Sequence, residues 1–298
     1  MNKTKVVWLD VNLHTWEHDW LLDLFNDIEI DLQITNSFEN LTYNENCVVI
    51  ANHAINYRAY LDALKSKGTK YGIVLLSDEN LREPMEYLHD PHCKFVARNY
   101  FSPIYHPHPK LFTFGLGYKK GFGAPKDTLP KFSDRELSWC FAGSIHDDER
   151  KKATQLFQDN IKYPHKVHFC SGFNAEDGIG TEEYKKMMHQ SQFALSPQGQ
   201  VNNDSFRTYE ALEAGCIPIT MANSPMFKVV PSYWHAIFLG DKDLPFIIED
   251  TWEDALEKVK EIHSQNRGDE IQTKCIEFWA RWKQNWRNEF AHRVQLLQ

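Results

Sequence analysis

The sequence predicts an α/β protein built as two domains, and three observations carry that prediction. Short β-rich runs alternate with helical segments along most of the chain. A stretch rich in Gly, Pro and charge, Gly121–Arg135 (GFGAPKDTLPKFSDR), interrupts the alternation and reads as a linker. Beyond it, Phe193–Ile219 reads as strand, polar loop, helix, glycine stop and second strand, which is the βαβ unit of a parallel sheet.

The elements follow in order. Lys5–Leu9 (KVVWL) is the first strand, and Trp16–Phe25 carries apolar residues at helical spacing. Ile30–Ile34 is a second strand. Cys47–Ala51 (CVVIA) and Tyr71–Leu76 (YGIVLL) are continuous apolar runs, as strands buried on both faces require, with a helix over Ala59–Lys67 between them. Phe95–Arg98 and Leu111–Phe114 are shorter strands. After the linker, Leu137–Ala142 (LSWCFA) opens a second set: a helix near Asp148–Asp159, a strand at Lys166–Cys170, a helix at Glu182–His189 and a strand at Phe193–Leu195. A further helix, then strands at Ile217–Thr220 and Ala236–Leu239, complete it. The chain closes with an amphipathic helix whose Phe278, Trp282, Trp286, Phe290 and Val294 recur every four residues, with Trp279 widening the stripe. That helix is expected to pack back on the domains. The alternative is a peripheral membrane contact through the basic Arg281, Lys283, Arg287 and Arg293, a face diluted by Glu277 and Glu289. The expected divisions are therefore residues 1–125, 136–270 and a terminal helix, 271–298.

Bulk properties narrow the function classes. With 298 residues the chain is long enough for two cores, and 42% apolar with 25% charged residues is ordinary for a globular protein. A net charge of −8 argues against general nucleic-acid binding, which calls for a basic face. No apolar run approaches bilayer-spanning length, so no transmembrane segment is expected. The N-terminal MNKTKVVWLDVN lacks the form of a secretory signal. The six cysteines (Cys47, Cys93, Cys140, Cys170, Cys216, Cys275) are well separated and read as free thiols of a reducing compartment. A glycan on the sequon at Asn203 would block the site described next. These features together predict a cytoplasmic location. No H-E-x-x-H, P-loop or G-x-G-x-x-G pattern is present, so metalloprotease, Walker-type nucleotidase and dinucleotide dehydrogenase lack support.

The Phe193–Ile219 segment carries the chemistry. Arg207 and Glu210 sit three apart at the start of its helix and share a face. Asp204 or Asn203 is a natural N-cap. A helix N-terminus gathers unpaired N–H groups and partial positive charge, which suits a phosphate, and an arginine adds a bidentate contact to the same anion. Glu210, one turn deeper, is placed to accept hydrogen bonds from sugar hydroxyls. Phosphate beside a diol is what a nucleotide-sugar presents.

The pattern Ser205, Arg207, Glu210-Ala211-Leu212, Gly215-Cys216-Ile217-Pro218-Ile219 resembles the donor-binding segment of exostosin-like (GT47-type) glycosyltransferases. The match covers about thirty residues, and the E-A-L-x-x-G-C-I-P core recurs across several families of the same fold. The resemblance implies the GT-B fold: two Rossmann-like domains facing a central cleft, with ligands beyond the C-terminal ends of the strands. It implies transfer of a sugar from a nucleotide diphosphate, with a UDP-sugar expected, to a glycan or polysaccharide acceptor. Inversion at the anomeric carbon and no essential metal or other cofactor are also implied. In such proteins the loop after the first strand of the second domain faces the diphosphate, which suggests Gly143, Ser144 and Arg150 as donor contacts, with His146 in the same loop as an alternative. Ser196, Gln198 and Gly199 follow a strand where backbone passes close to the donor. Asn203, Ser205 and Phe206 lead into Arg207 and Glu210. Ser171-Gly172 is a weaker place for the nucleobase.

An inverting transferase also needs a base for the acceptor hydroxyl. Asp78 and Glu79 follow the most apolar strand of the first domain and lead the candidates, ahead of His53, His14 and Asp10, each just after a strand. Asp241-Lys242-Asp243 matches the D-x-D signature of metal-dependent transferases, but so short a motif is common and no metal site is expected there. The alternatives within the fold are a sugar-nucleotide epimerase or a phosphorylase. Outside enzymology, the alternative is a catalytically silent module that binds glycan or protein.

Overall fold

A computed structural model describes residues 3–11, 13, 15–52, 56–123, 128–146, 148–224 and 228–298. His14 and His53 lie outside the described residues. The chain forms two compact units, Met1–Gly115 with Lys283–Gln298, and Leu116–Trp282.

In the first unit the order is β1 (Thr4–Leu9), α1 (His18–Leu24), β2 (Ile30–Thr35), β3 (Cys47–Asn52), α2 (Arg58–Ser66), β4 (Tyr71–Leu76), β5 (Cys93–Arg98) and β6 (Leu111–Thr113). The strands form one sheet in the order β2-β1-β3-β4-β5-β6, and every pairing is parallel. Strands β3 and β4 are buried along their whole length, which is why their sequences lack alternation. Helix α1 starts later than the apolar spacing suggests. Thr15 donates its backbone N–H to the Asp10 carboxylate at 3.0 Å and takes φ 45°, so residues ahead of His18 are held as an ordered turn instead of helix.

The second unit runs β7 (Leu137–Ser144), α3 (Asp148–Asn160), β8 (His165–Cys170), α4 (Thr181–Gln190), β9 (Ser191–Leu195), α5 (Phe206–Glu213), β10 (Ile217–Met221), α6 (Tyr233–Ile237), β11 (Ile247–Glu249) and α7 (Trp252–Ser264). Its sheet, again parallel, has the order β11-β10-β9-β7-β8. Counted from its own first strand, this is the strand order of the first unit, short of the last strand. The unit begins at Leu116, ahead of residue 125, because Lys119 donates its N–H to Glu210 at 3.2 Å and Phe122 packs on Tyr184 at 5.7 Å.

The strand expected at Ala236–Leu239 is not one. Ser232 caps the backbone N–H of His235, and Tyr233, Trp234 and Ile237 bury themselves at helical spacing, giving α6. The last strand of the sheet is β11, a three-residue element too short to announce itself by pattern.

Helix α8 (Gly268–Gln295) starts in the second unit and ends in the first. Its apolar stripe is buried at every position: Phe278 packs on Phe238 at 4.8 Å, Trp286 crosses Trp20 at 5.9 Å, and Phe290 meets Phe25 at 5.1 Å. Arg281, Arg287 and Arg293 pair with Asp241, Asp23 and Glu289. The face that a membrane contact would use is thus covered by the fold, and no helix among the described residues is long and apolar enough to cross a membrane.

Candidate active site

A parallel sheet offers a binding crevice where its chain order reverses, since the loops leaving two adjacent strands there turn opposite ways. In the second unit the chain goes from β7 out to β8 and returns past β7 to β9, so the reversal lies between β7 and β9. Two arginines bridge it. Arg207 donates from Nε to the Ala142 carbonyl at the end of β7 (3.0 Å) and from Nη1 to the Pro197 carbonyl after β9 (3.2 Å). Its guanidinium also lies over the Phe141 ring at 5.1 Å. Arg150, buried, donates from Nη1 to the Ser144 carbonyl (2.9 Å) and from Nη2 to the Gln198 carbonyl. Gly143 has φ 154°, and a Cβ there would stand 2.7 Å from Arg207 Nη2. That φ is one L side chains rarely adopt, which favours glycine here. His146 joins the same loops, with Nε2 3.2 Å from the Gly199 carbonyl and Nδ1 3.4 Å from Ser144 Oγ. Gly143, Ser144, Arg150, Gln198, Gly199 and Arg207 are therefore brought together.

Helix α5 approaches the same place with an uncapped N-terminus. Its N-cap is Ser205, not Asn203 or Asp204, and Ser205 makes no side-chain cap bond. Asp204 is drawn off by Tyr233, whose hydroxyl donates to Oδ2 at 2.9 Å. Asn203 gives its amide to the Met221 carbonyl at 2.8 Å and is buried, away from the arginines' partners. The Ser205 hydroxyl is buried with no hydrogen-bond partner among the described residues. A helix end left without a cap keeps its first N–H groups available to an anion. Ser196, fully buried, is tied by its backbone N–H to the Ile219 carbonyl at 2.8 Å and shapes the loop from within.

Glu210 lies one turn into α5, buried, accepting the Lys119 N–H. Burial pushes its carboxyl above the usual range, opposed by the Lys119 N–H, the Arg207 charge and the Tyr184 hydroxyl. Phe206 stacks near the exposed Phe173, ring centres 6.2 Å apart, and Lys119 Nζ sits 5.1 Å over Phe173. Sequence reasoning named Phe206 but passed over Phe173, which sits in a polar loop with no periodicity. Ser171, by contrast, spends its N–H and hydroxyl on Asp177.

No group of three or more His, Cys, Asp or Glu among the described residues is arranged to hold a metal ion. Asp241 of the D-x-D segment accepts from Arg281 (2.7 Å), from Trp282 (3.0 Å) and from the backbone of Asp243, so it anchors α8.

In the first unit the chain reverses between β1 and β3. Asn52, at the end of β3, donates to Asp10 Oδ2, just after β1, at 3.1 Å. Asp78 is engaged on every side: it accepts from Arg98 Nη2 (3.0 Å), from the Arg82 N–H (2.8 Å) and from the Glu83 N–H (3.1 Å). Glu79 sits half-buried in the turn that follows. Glu17, which pattern reading assigned to a helix, is the unexpected residue here. It is fully buried, and its carboxyl is pushed up to about 7, chiefly by burial and further by Asp10.

Comparisons with known proteins bear on one segment and on the fold. Residues 124–238 match the exostosin GT47 domain. That segment is similar to the exostosin GT47 domain. The chain is 36% identical over 91 residues to Exostosin-1a of Danio rerio and 33% identical over 90 residues to Exostosin-1 of Mus musculus. Each match covers 29% of this chain but 12% of the relative, so the chain spans a small part of the proteins it matches. Among solved structures, an α-glucosyltransferase in complex with UDP and a 13-mer DNA superposes with a TM-score of 0.58 at 12% identity, over 99% of this chain and 100% of that one. An α1,3-fucosyltransferase superposes with 0.51 at 9% identity, over 91% and 81%. At such identities the likeness fixes the fold alone, and that fold is GT-B.

Proposed function

We propose that this chain is a glycosyltransferase that moves a sugar from a nucleotide diphosphate sugar, a UDP-sugar by preference, to a glycan or polysaccharide acceptor. The observation that carries the reading is the pair of arginines bridging the β7/β9 reversal beside the uncapped end of α5. Departure of a diphosphate develops negative charge, and fixed cationic and N–H donors stabilise it without reorganising. The guanidinium planes are set by backbone carbonyls before any ligand arrives, and such preorganisation is what makes the contribution large. Glu210 receives the ribose hydroxyls. The reaction is a single inverting displacement, and the arginines take the place that a divalent cation holds in metal-dependent transferases. A cytoplasmic setting suits the buried free thiols.

Among the solved neighbours, the glucosyltransferase is in complex with UDP and the fucosyltransferase with GDP-fucose. The aromatic Phe173–Phe206 pair favours a nucleobase without choosing between them. The glucosyltransferase complex also contains DNA. For this chain the net charge of −8 favours a glycan acceptor over a polyanion.

The test is calorimetric titration with UDP, GDP and CMP, with and without magnesium, on wild type and Arg207→Ala. One nucleotide should bind at micromolar affinity, indifferent to magnesium, and the variant should lose about 10²-fold, the worth of a charge-assisted hydrogen-bond set. Thermal melts of both proteins separate a lost contact from a lost fold. The second reading, a silent glycan- or protein-binding module, draws on the same bonds: arginines committed to carbonyls also serve as plain struts. Absence of binding to all three nucleotides selects it. Turnover of donor with no acceptor, giving an isomer instead of free nucleotide, selects an epimerase.

A further inference from the structure

The second unit holds a large ring in solvent that the phosphate contacts do not use. Phe173 is 55% exposed, in the loop that leaves β8. One exposed ring alone says little. This one is fixed in place, and other groups converge on it. Its loop is closed by Ser171, whose N–H and hydroxyl donate to the Asp177 carboxylate at 2.8 and 2.9 Å, and by the Gly178 N–H on the Ala175 carbonyl at 3.0 Å. Phe206 lies nearly parallel to the ring, 16° between planes and 6.2 Å between centres. The Lys119 ammonium stands 5.1 Å from the ring centre and donates to Asn174 Oδ1 at 2.8 Å. All four residues belong to the second unit.

These groups follow the order of a nucleoside diphosphate. Phe206 opens α5 between Ser205 and Arg207, so the ring pair begins at the proposed phosphate site. Lys119 joins the other two parts: its backbone N–H binds the Glu210 carboxylate assigned to ribose, and its side chain reaches Phe173 and Asn174. Resting on the transferase reading above, we infer that Phe173 is the stacking platform for the nucleobase, and that Lys119 with Asn174 selects bases bearing an exocyclic oxygen over those bearing an exocyclic amine. Stacking does not choose, because every base has a π-face. The polar pair does. An ammonium has three donors and no acceptor. With Oδ1 taken by Lys119, Asn174 has its NH₂ group to offer, so both side chains act as donors toward a base. Uracil meets them with its carbonyl oxygens and guanine with O6 and N7. Cytosine and adenine put an amine donor where those oxygens stand, and a donor set against an ammonium is rejected. The Ser171-Gly172 pair, expected beside the base, instead closes the loop that carries the platform.

The experiment titrates the full chain calorimetrically with UDP, CDP, GDP, ADP and inorganic pyrophosphate, comparing wild type with Lys119→Met, Phe173→Ala and Phe173→Trp. Wild type should bind UDP about tenfold or more tighter than CDP, and GDP by a similar factor tighter than ADP. Where one ring size alone enters, the comparison within that pair is the test. Lys119→Met keeps the backbone N–H on Glu210 and loses the ammonium, so the ratio should fall below about threefold. Phe173→Ala should weaken every nucleotide by about tenfold, keep the ratio and leave pyrophosphate unchanged, and Phe173→Trp should restore the affinity. Phe173 and Lys119 both reach solvent, and thermal melts of each variant verify the fold. A wild type that binds UDP and CDP alike, a Lys119→Met variant that keeps the ratio, or a Phe173→Ala variant that binds as wild type does overturns the inference. A wild type that binds neither the nucleotides nor pyrophosphate overturns the transferase reading instead.

Discussion

The two sheets of this chain share one strand order but differ in what bridges the reversal of each. In the second, Arg150 and Arg207 reach across from β7 to β9 and give their N–H groups to backbone carbonyls. In the first, Asp10 and Asn52 reach across from β1 to β3, with Glu17 buried beside them. One crevice is cationic and donor-rich, the other acidic. The same fold plan is used twice, with opposite charge at the two reversals.

The comparison is broken most severely at Asp78. It shares the first sheet's strand ends with Glu17, yet its carboxylate is paired with the fully buried Arg98. Asp78→Asn removes one partner and leaves the other charge buried, which costs roughly 3–5 kcal/mol. Urea unfolding should show that loss directly. A variant that kept its stability would show that the buried Arg98 does not depend on this carboxylate.

Glu17 itself should behave in the opposite sense. Its carboxyl is raised from 4.5 to about 7 in the folded chain, so the folded state holds its proton more tightly than the unfolded state does. The stability this gives is fully present below pH 4.5 and is lost as pH rises to about 7. Above that, an ionised buried carboxylate costs about 3 kcal/mol relative to low pH. Glu17→Gln should therefore be the more stable protein at pH 8, while the two converge near pH 4. A glutamine variant no more stable than wild type at pH 8 would show that the carboxyl is better solvated than its burial indicates.

How far this was legible in the sequence differs between the two crevices for a physical reason. The cationic one is built from a contiguous motif, Ser205 to Ile219, whose helix start, arginine and glycine stop are all local signals. Gly143 and Arg150 follow a strand that its own apolar run announces. The acidic crevice is assembled from single residues on separate strands, and nothing local marks Glu17: it looks like one more polar position in an amphipathic helix. What singles it out is burial, a tertiary property. The strand expected at Ala236–Leu239 failed for a related reason. An apolar run as short as AIFL is compatible with either state, and the Ser232 cap with the buried Tyr233 and Trp234 decided for helix. The N-cap expectation at Asp204 or Asn203 failed because long-range partners, Tyr233 and the Met221 carbonyl, took both side chains.

That last failure supplies the smallest and most discriminating effect. Ser205 occupies the N-cap of α5, where replacing serine by alanine ordinarily costs about 1 kcal/mol because the hydroxyl satisfies a helix N–H. Here it makes no such bond, and the hydroxyl is buried without a partner among the described residues. Ser205→Ala removes a desolvated group that gives nothing back, so thermal unfolding should shift by less than about 0.5 kcal/mol, toward higher stability if at all. In the proposed site the hydroxyl has one use, donation to a phosphate oxygen at the helix end. Nucleotide affinity should then fall about three- to tenfold, the worth of one neutral donor. The ordinary cap makes the reverse forecast, a lost kcal/mol of stability and unchanged binding. A single serine thus separates a helix end reserved for an anion from one that is merely finished, and it does so without disturbing either arginine.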